Sequence, residues 1–335
     1  MPEIRIDPLS GHRTIIAGER SKRPGGEPRC DLPEPIDVER DPFAEGHEDR
    51  TPPELYSLRP DGGPPDSPGW TVRVVPNMFP ALTRADAAVD GPGPEPDVKP
   101  DLFSARPATG AHEVIVNSPQ PVTSLAELGR AQVVAAVEVW RARMRAHADA
   151  AYVQLIVNER REGGASLPHT HAQLYALDFV PAEVARERER AGAYATRTMG
   201  HSLLEDLVAE EVRRGERIVA IDDEAVLLAP FASRLPLQLM LAPRQPRPRF
   251  ELDTAGAALL HEGLSRLARL LGSSPPLNLW VRTAPRGADQ FCWRIDIAPR
   301  LTHLAGLELS TGVNLNIVAP EHAADLLRQA GGSPS

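Results

Sequence analysis

The feature that most restricts the fold is an internal repeat. Residues 112–128, HEVIVNSPQPVTSLAEL, read as a strand, a proline turn and a helix start; residues 237–252, LQLMLAPRQPRPRFEL, follow the same plan. An amphipathic helix comes next in each, AQVVAAVEVWRARMRAHAD and TAGAALLHEGLSRLARLLG, with apolar residues at steps of three and four. Each helix leads to a strand, a glycine-containing loop and a last strand: AYVQLIVNE then PHTHAQLYAL, and PLNLWVRTA then FCWRIDIAPRL. The chain therefore reads as two copies of a strand–helix–strand–strand unit. Chance agreement of short apolar strands is the alternative. The repeat predicts two units, 1–178 and 179–335, and sets His169 and His171 of the first over Cys292 and Arg294 of the second. One site is then chemically equipped and its twin has drifted.

Composition narrows the function. Aromatic residues are only 4% of the 335, so Leu, Val, Ile and Ala must fill the core. The net charge of −9 argues against a general nucleic-acid or anionic-membrane partner, which needs a basic surface. Cys30 and Cys292 lie too far apart in sequence for a disulfide framework or a zinc ribbon. No apolar run approaches a membrane span, and MPEIRIDPLSGHR lacks a signal-peptide core, so the expected location is the cytoplasm. Residues 24–54 and 84–110 read as irregular, and WTVRVVPNMFPAL (70–82) as a strand turning at Asn77. The charged stretch 180–216 reads as a solvated helical connection.

The stretch GGASLPHTHAQLYAL (163–177) carries the chemistry. On a strand, His169, His171 and Gln173 share one face. An exposed face with incidental histidines, or a metal pair, is the alternative for a lone His-x-His. The preceding loop changes the balance: its glycines let backbone N–H groups approach an anion, and Ser166 adds a hydroxyl. A neutral imidazole is a good nucleophile toward phosphorus near pH 7. Gln173 can donate to a phosphoryl oxygen without adding a charge that would trap an intermediate.

These residues resemble the galactose-1-phosphate uridylyltransferase family of the histidine-triad superfamily, whose motif is His-Pro-His-x-Gln after a Gly-x-Ser turn. RIDPLSGHRTIIAGERSKRP, PFAEGHEDRTPPEL, WTVRVVPNMFPAL, ATGAHEVIVNSP and DIAPRLTHLAGLELSTG also resemble family segments, so the similarity spans nearly the whole chain. The resemblance implies an α+β fold of tandem histidine-triad-like antiparallel sheet units with packed helices. It implies ping-pong transfer, in which His171 attacks the α-phosphorus of UDP-glucose, a uridylyl-histidine forms, and a hexose 1-phosphate such as galactose 1-phosphate takes the uridylyl group. By position, His171, Gln173 and Ser166 are then catalytic. Asn77, Asn158, Gly164, His169, Arg20 and Arg23 line the substrate. A homodimer is implied as well.

Four departures qualify this. The family's zinc-binding Cys-x-x-Cys positions read Asp41 and Ala44, and its distant histidine falls on Pro121. Only His169 remains, too few for tetrahedral zinc, so no metal is expected. The second family metal site keeps Glu187, but its histidine cluster reads Cys292, Arg294 and Asp296. An arginine there is expected to replace the metal charge by pairing with Glu187 or Asp296. Thr170 replaces the proline between the histidines. Finally, AGLELSTG lacks the lysine that binds the hexose phosphate, more like the branch that includes ADP-glucose phosphorylases. The alternatives are therefore nucleotide-sugar phosphorolysis or hydrolysis, or a nucleotide sensor without catalysis.

Overall fold

The computed structural model describes residues 1–22, 30–83, 102–103, 105–288 and 290–332. Arg23 and most of the irregular stretch 84–110 lie outside the described residues. The strands are β1 Glu3–Ile6, β2 Arg13–Ile16, β3 Tyr56–Leu58, β4 Val72–Pro76, β5 Gly110–Val116, β6 Tyr152–Glu159, β7 His171–Leu177, β8 Ile218–Ile221, β9 Ala225–Leu228, β10 Leu239–Pro243, β11 Leu277–Arg282, β12 Arg294–Pro299 and β13 Asn314–Asn316. The α-helices are α1 Arg130–Ala146, α2 Ala182–Arg197, α3 Leu203–Arg214, α4 Ala257–Leu271, α5 Gly306–Thr311 and α6 Pro320–Gln329.

Ten strands form one antiparallel sheet in the order β3-β4-β5-β7-β6-β11-β12-β10-β9-β8. Its two ends mirror each other. β4, β5, β7 and β6 on one side correspond to β9, β10, β12 and β11 on the other, with α1 and α4 in matching places. The register agrees residue by residue. Val157 faces Ala172 as Val281 faces Ile295. One step on, Arg282 faces Arg294, and the same count carried past the last β6–β7 pair sets Asn158 level with His171. Arg294 therefore takes the place of His171, Asp296 that of Gln173 and Arg282 that of Asn158. At the seam Ile156 pairs with Trp280, two equivalent positions, so the pseudo-two-fold axis passes between them.

Alternation divides the sheet into two faces. Ile115, Leu155, Val157, Ala172 and Leu174 from one half, and Leu277, Leu279, Val281, Ile295 and Ile297 from the other, pack with Trp140 and Met144 of α1 and Leu260, Leu264 and Leu267 of α4 in one core. Each such side chain contributes roughly 1.5–3 kcal/mol when fully buried. The opposite face carries the polar set: His112, His171, Gln173 and Tyr175 in one half, Arg282, Arg294 and Asp296 in the other.

Two features differ from expectation. The stretch 180–216 is two helices rather than one solvated connection, and α2 turns Glu187 inward until it is 6% exposed. A small sheet, β1-β2-β13, joins the two ends of the chain, with β13 running parallel to β2.

Candidate active site

The loop between β6 and β7 is built to approach a ligand. Arg160 sits at φ 63°, and the N–H groups of Gly163 and Ala165 both return to its carbonyl. Its guanidinium is pinned to the carbonyls of Asp31 (2.6 Å) and Ser274 (3.2 Å) and to Cys30 Sγ (3.2 Å). Cys30 is thus occupied beside Arg160. Gly163 is required because a Cβ there would meet the Leu277 carbonyl at 2.7 Å, and Gly164 because its φ is +87°. Ser166 is exposed, and neither its hydroxyl nor its N–H has a partner among the described residues.

His169 and His171 do different work. β7 begins at His171, so His169 lies just before the strand. His169 is fully buried. Its Nδ1 lies 2.6 Å from Asp41 Oδ2 and its Nε2 donates to the Ser118 carbonyl at 2.8 Å. Both ring nitrogens are engaged within the protein, so what His169 presents to the site is its backbone carbonyl. That carbonyl accepts the Nδ1–H of His171 at 2.8 Å. The tautomer of His171 is thereby set: Nδ1 holds the proton and Nε2 keeps a lone pair, with no partner among the described residues. Phe43 packs edge-on against the ring at 5.2 Å, and burial holds the imidazole below its ordinary value, favouring the neutral form.

Gln173 is held from behind. Its Oε1 accepts from Tyr175 Oη at 2.8 Å and lies 3.0 Å from His112 Nε2. His112 Nδ1 accepts the Ala81 N–H at 3.1 Å, so in the neutral ring the proton sits on Nε2 and is donated to Gln173. Asn77 Nδ2 stands 3.1 Å from the same Nε2, a second donor beside the proton that His112 gives to Gln173. Asn77 also makes the expected turn, its Oδ1 accepting the Phe79 N–H at 2.8 Å. Asn158 Oδ1 accepts from Asn278 Nδ2 (2.8 Å), which also reaches the Gly163 carbonyl (2.6 Å) and ties the loop to the other half.

Sequence reasoning missed four contributors: His112, Tyr175, Phe43 and Glu159. Tyr175 was findable, since it continues the alternate positions of His171 and Gln173. Glu159 takes the Ser124 hydroxyl (2.5 Å), the Leu125 N–H (2.6 Å) and the Thr170 hydroxyl (3.3 Å); burial pushes its carboxyl up to about 7. Thr170, in place of proline, is thus bonded under the loop. Arg20 is exposed just after β2, and among the described residues no hydrogen bond or ion pair joins its side chain to His171. A cleft of about 880 Å³ runs along the Gly110 end of β5, with Asn77, His112, Arg143 and Arg286 in its wall, while His171 and Gln173 stand outside that wall.

The twin position is filled by charge. Arg294 makes a two-pronged pair with Glu187 (2.9 and 3.0 Å), and its Nε reaches Asp296 at 2.9 Å. The expected pairing thus occurs with both acids at once. Burial opposes the guanidinium charge, but Asp296 and Glu187 outweigh it and hold the group above the ordinary arginine value. Arg282 joins, 3.5 Å from Glu187 and 3.1 Å from Gln154 Oε1.

Neither place fits a metal. Zinc holds nitrogen and oxygen donors at about 2.0–2.2 Å in a tetrahedron, which sets two donors roughly 3.3 Å apart. Asp41 and His169 close to hydrogen-bond distance instead, and Arg294 puts a fixed cation between Glu187 and Asp296. Among the described residues no group of three or more His, Cys, Asp or Glu side chains is placed to hold an ion.

Comparison with known proteins follows the same lines. The galactose-1-phosphate uridyl transferase N-terminal domain matches residues 69–181, and a family described as a domain of unknown function (DUF4921) matches 127–330. The ADP-glucose phosphorylase of Arabidopsis thaliana is 27% identical, covering 98% of this chain and 93% of that one. The galactose-1-phosphate uridylyltransferase of Haemophilus influenzae is 28% identical, covering 98% and 94%. The crystal structure of the Arabidopsis thaliana ADP-glucose phosphorylase with bound ADP-glucose superposes with a TM-score of 0.79 at 26% identity, over 98% of this chain and 99% of that one.

Proposed function

Because this chain belongs to the galactose-1-phosphate uridylyltransferase family, matching the DUF4921 family through residues 127–330, and is a nucleotidyltransferase of that type, we propose that it transfers a nucleotidyl group from a nucleotide sugar through a covalent bond to His171 Nε2. The observation that carries this is the hydrogen bond from His171 Nδ1 to the His169 carbonyl, which leaves Nε2 unprotonated and free. The Nε2 lone pair attacks the α-phosphorus, and the bond from phosphorus to the sugar 1-phosphate oxygen breaks. Sugar 1-phosphate departs with that electron pair. The imidazolium formed keeps its Nδ1–H on the carbonyl, which stabilises the charge. Gln173 Nε2 donates to a non-bridging oxygen, where negative charge is concentrated in the transition state. Ser166, its N–H and the Gly164 turn face the diphosphate, and Asn77 and Asn158 face the nucleoside. An oxygen of the acceptor phosphate then attacks the same phosphorus, and His171 leaves neutral.

UDP-glucose and galactose 1-phosphate are the proposed pair. A second reading, phosphorolysis of ADP-glucose, is supported by the likeness to the Arabidopsis thaliana enzyme and by α5. There the hydroxyls of Ser310 and Thr311 are turned to the Gly306 and Leu307 carbonyls, and the helix, GLELST, carries no cation of its own. The ion-paired replacements support a metal-independent reaction. Exposed Met78, Phe79 and Phe103 support a homodimer. A cytoplasmic location is part of the same proposal; among the described residues no helix is long and apolar enough to cross a membrane.

Incubation with UDP-glucose or ADP-glucose labelled at the α-phosphorus, followed by denaturation, is expected to leave label on the wild type and none on folded His171→Gly. The base that labels identifies the donor, and release by galactose 1-phosphate or by inorganic phosphate identifies the acceptor. An unlabelled wild type, or His171→Gly turnover within about tenfold of wild type, overturns the assignment.

A further inference from the structure

We propose that His112 is a positioning residue for the transfer step: it fixes the Gln173 amide so that its NH2 end alone faces the phosphoryl group. This rests on the reading of His171 as nucleophile. An amide side chain has two ends of opposite polarity, and only the donating end helps a phosphoryl oxygen that gains negative charge. Nothing in the sequence tells which end faces out.

The structure assigns it through a chain of hydrogen bonds. The Ala81 N–H is fixed by the backbone and points at His112 Nδ1 at 3.1 Å. A protonated Nδ1 would face a backbone donor that cannot turn away, whereas a proton on Nε2 opposes only the side-chain amide of Asn77 at 3.1 Å, so the neutral ring carries its proton on Nε2. That N–H meets Gln173 Oε1 at 3.0 Å, and the Tyr175 hydroxyl meets the same oxygen at 2.8 Å. Turning the amide over would place NH2 against the His112 N–H. The His112 ring also stacks on Tyr175, with centroids 4.1 Å apart and planes 25° from parallel, which holds both donors at one oxygen. Gln173 Nε2 has no partner among the described residues. Each bond in such a series polarises the next, so the outward N–H groups are better donors than those of a free amide. Burial holds the His112 ring below the ordinary imidazole value, consistent with a neutral relay. The relay begins in the turn that also carries Asn77, so one piece of backbone orients two donors on the ligand side.

The test is the single-turnover rate of His171 labelling, measured with the donor that labels the wild type. His112→Phe keeps a ring over Tyr175 and removes the donor; it is expected to slow labelling about 10- to 100-fold while the dissociation constant for the nucleotide sugar stays within about threefold. His112→Gln restores an amide N–H near the Nε2 position and should recover to within about fivefold of wild type. His112→Asn, whose amide ends near the Nδ1 position, is a second loss variant should His112→Phe not fold. The double variant His112→Phe/Gln173→Ala should label no more slowly than Gln173→Ala alone, because His112 acts only through that amide. Wild-type rates in both loss variants, or a double-variant loss equal to the product of the single losses, overturns the proposal while leaving the nucleophile intact. Absence of any label on the wild type overturns both.

Discussion

The His171 half and the Arg294 half of the sheet start from the same frame and treat polar atoms in opposite ways. In the first, His171, Gln173 and Asn158 each bond to the protein through one polar atom and leave another without a partner among the described residues. In the second, the equivalent Arg294, Asp296 and Arg282 are drawn into ion pairs around Glu187. Beneath both sites the architecture is the same. Leu125 N–H is received by Glu159 at 2.6 Å, and Phe250 N–H by the equivalent Thr283 at 3.1 Å. The fold therefore sets where side chains stand, and the residues placed there decide between self-satisfaction and readiness for a ligand.

The sharpest test exchanges the roles of these halves. Arg294→Met removes the guanidinium that directly pairs both buried acids, leaving Glu187 only the longer 3.5 Å contact with Arg282, and is expected to cost about 3–5 kcal/mol, read from the urea midpoint. His171→Gly should lower stability by no more than about 2 kcal/mol while removing turnover. Equal effects of the two on stability would break the contrast. The loops come next. Gly163→Ala forces a Cβ against the Leu277 carbonyl and should cost about 2–3 kcal/mol and slow labelling. Gly287→Ala in the other loop meets only its φ of +75° and open space, and should cost about 1 kcal/mol with no effect on labelling.

A smaller effect separates Glu159 from Thr283. Burial raises the folded Glu159 value to about 7, above the ordinary carboxyl value, so folding takes up a proton between the two. Its contribution is fully present below about pH 4.5 and is lost as pH rises through about 7. Glu159→Gln should therefore gain stability relative to wild type as pH goes from 5 to 8, by a few degrees in Tm. A difference that does not change with pH refutes this. The smallest expected effect is none: dialysis against EDTA should change neither labelling nor Tm, and a loss restored by zinc would contradict the reading of both ion-paired sites.

Much of this was legible because it is periodic or local. Alternation and helical spacing pointed to the repeated frame that the mirrored strand order shows, and the His-x-His-x-Gln order singled out His171, the proposed nucleophile. The reading of Asp41 as a ligand position filled by another residue, and of Arg294 as a substitute charge, drew on the family pattern; the structure adds that Asp41 bonds directly to His169. His112 was not legible. It is one histidine within GAHEVIV, and its meaning comes from Gln173, 61 residues away. The β2–β13 pairing joins residues some 300 positions apart through short strands that carry no pattern of their own. Arg20 and Arg23 were assigned by resemblance alone. Arg20 is exposed after β2, and Arg23 is outside the described residues.

The seam between β6 and β11 bears on what either unit is by itself. Each of these strands is the innermost of its half, long and regular, with no proline or bulge to blunt it. Cut apart, each half would present a row of unsatisfied amides and carbonyls, a template for any other extended chain. Joined, they cap one another. The second half, with the residues equivalent to the first half's site bound up in ion pairs, thereby shields the first by covering its inner edge strand.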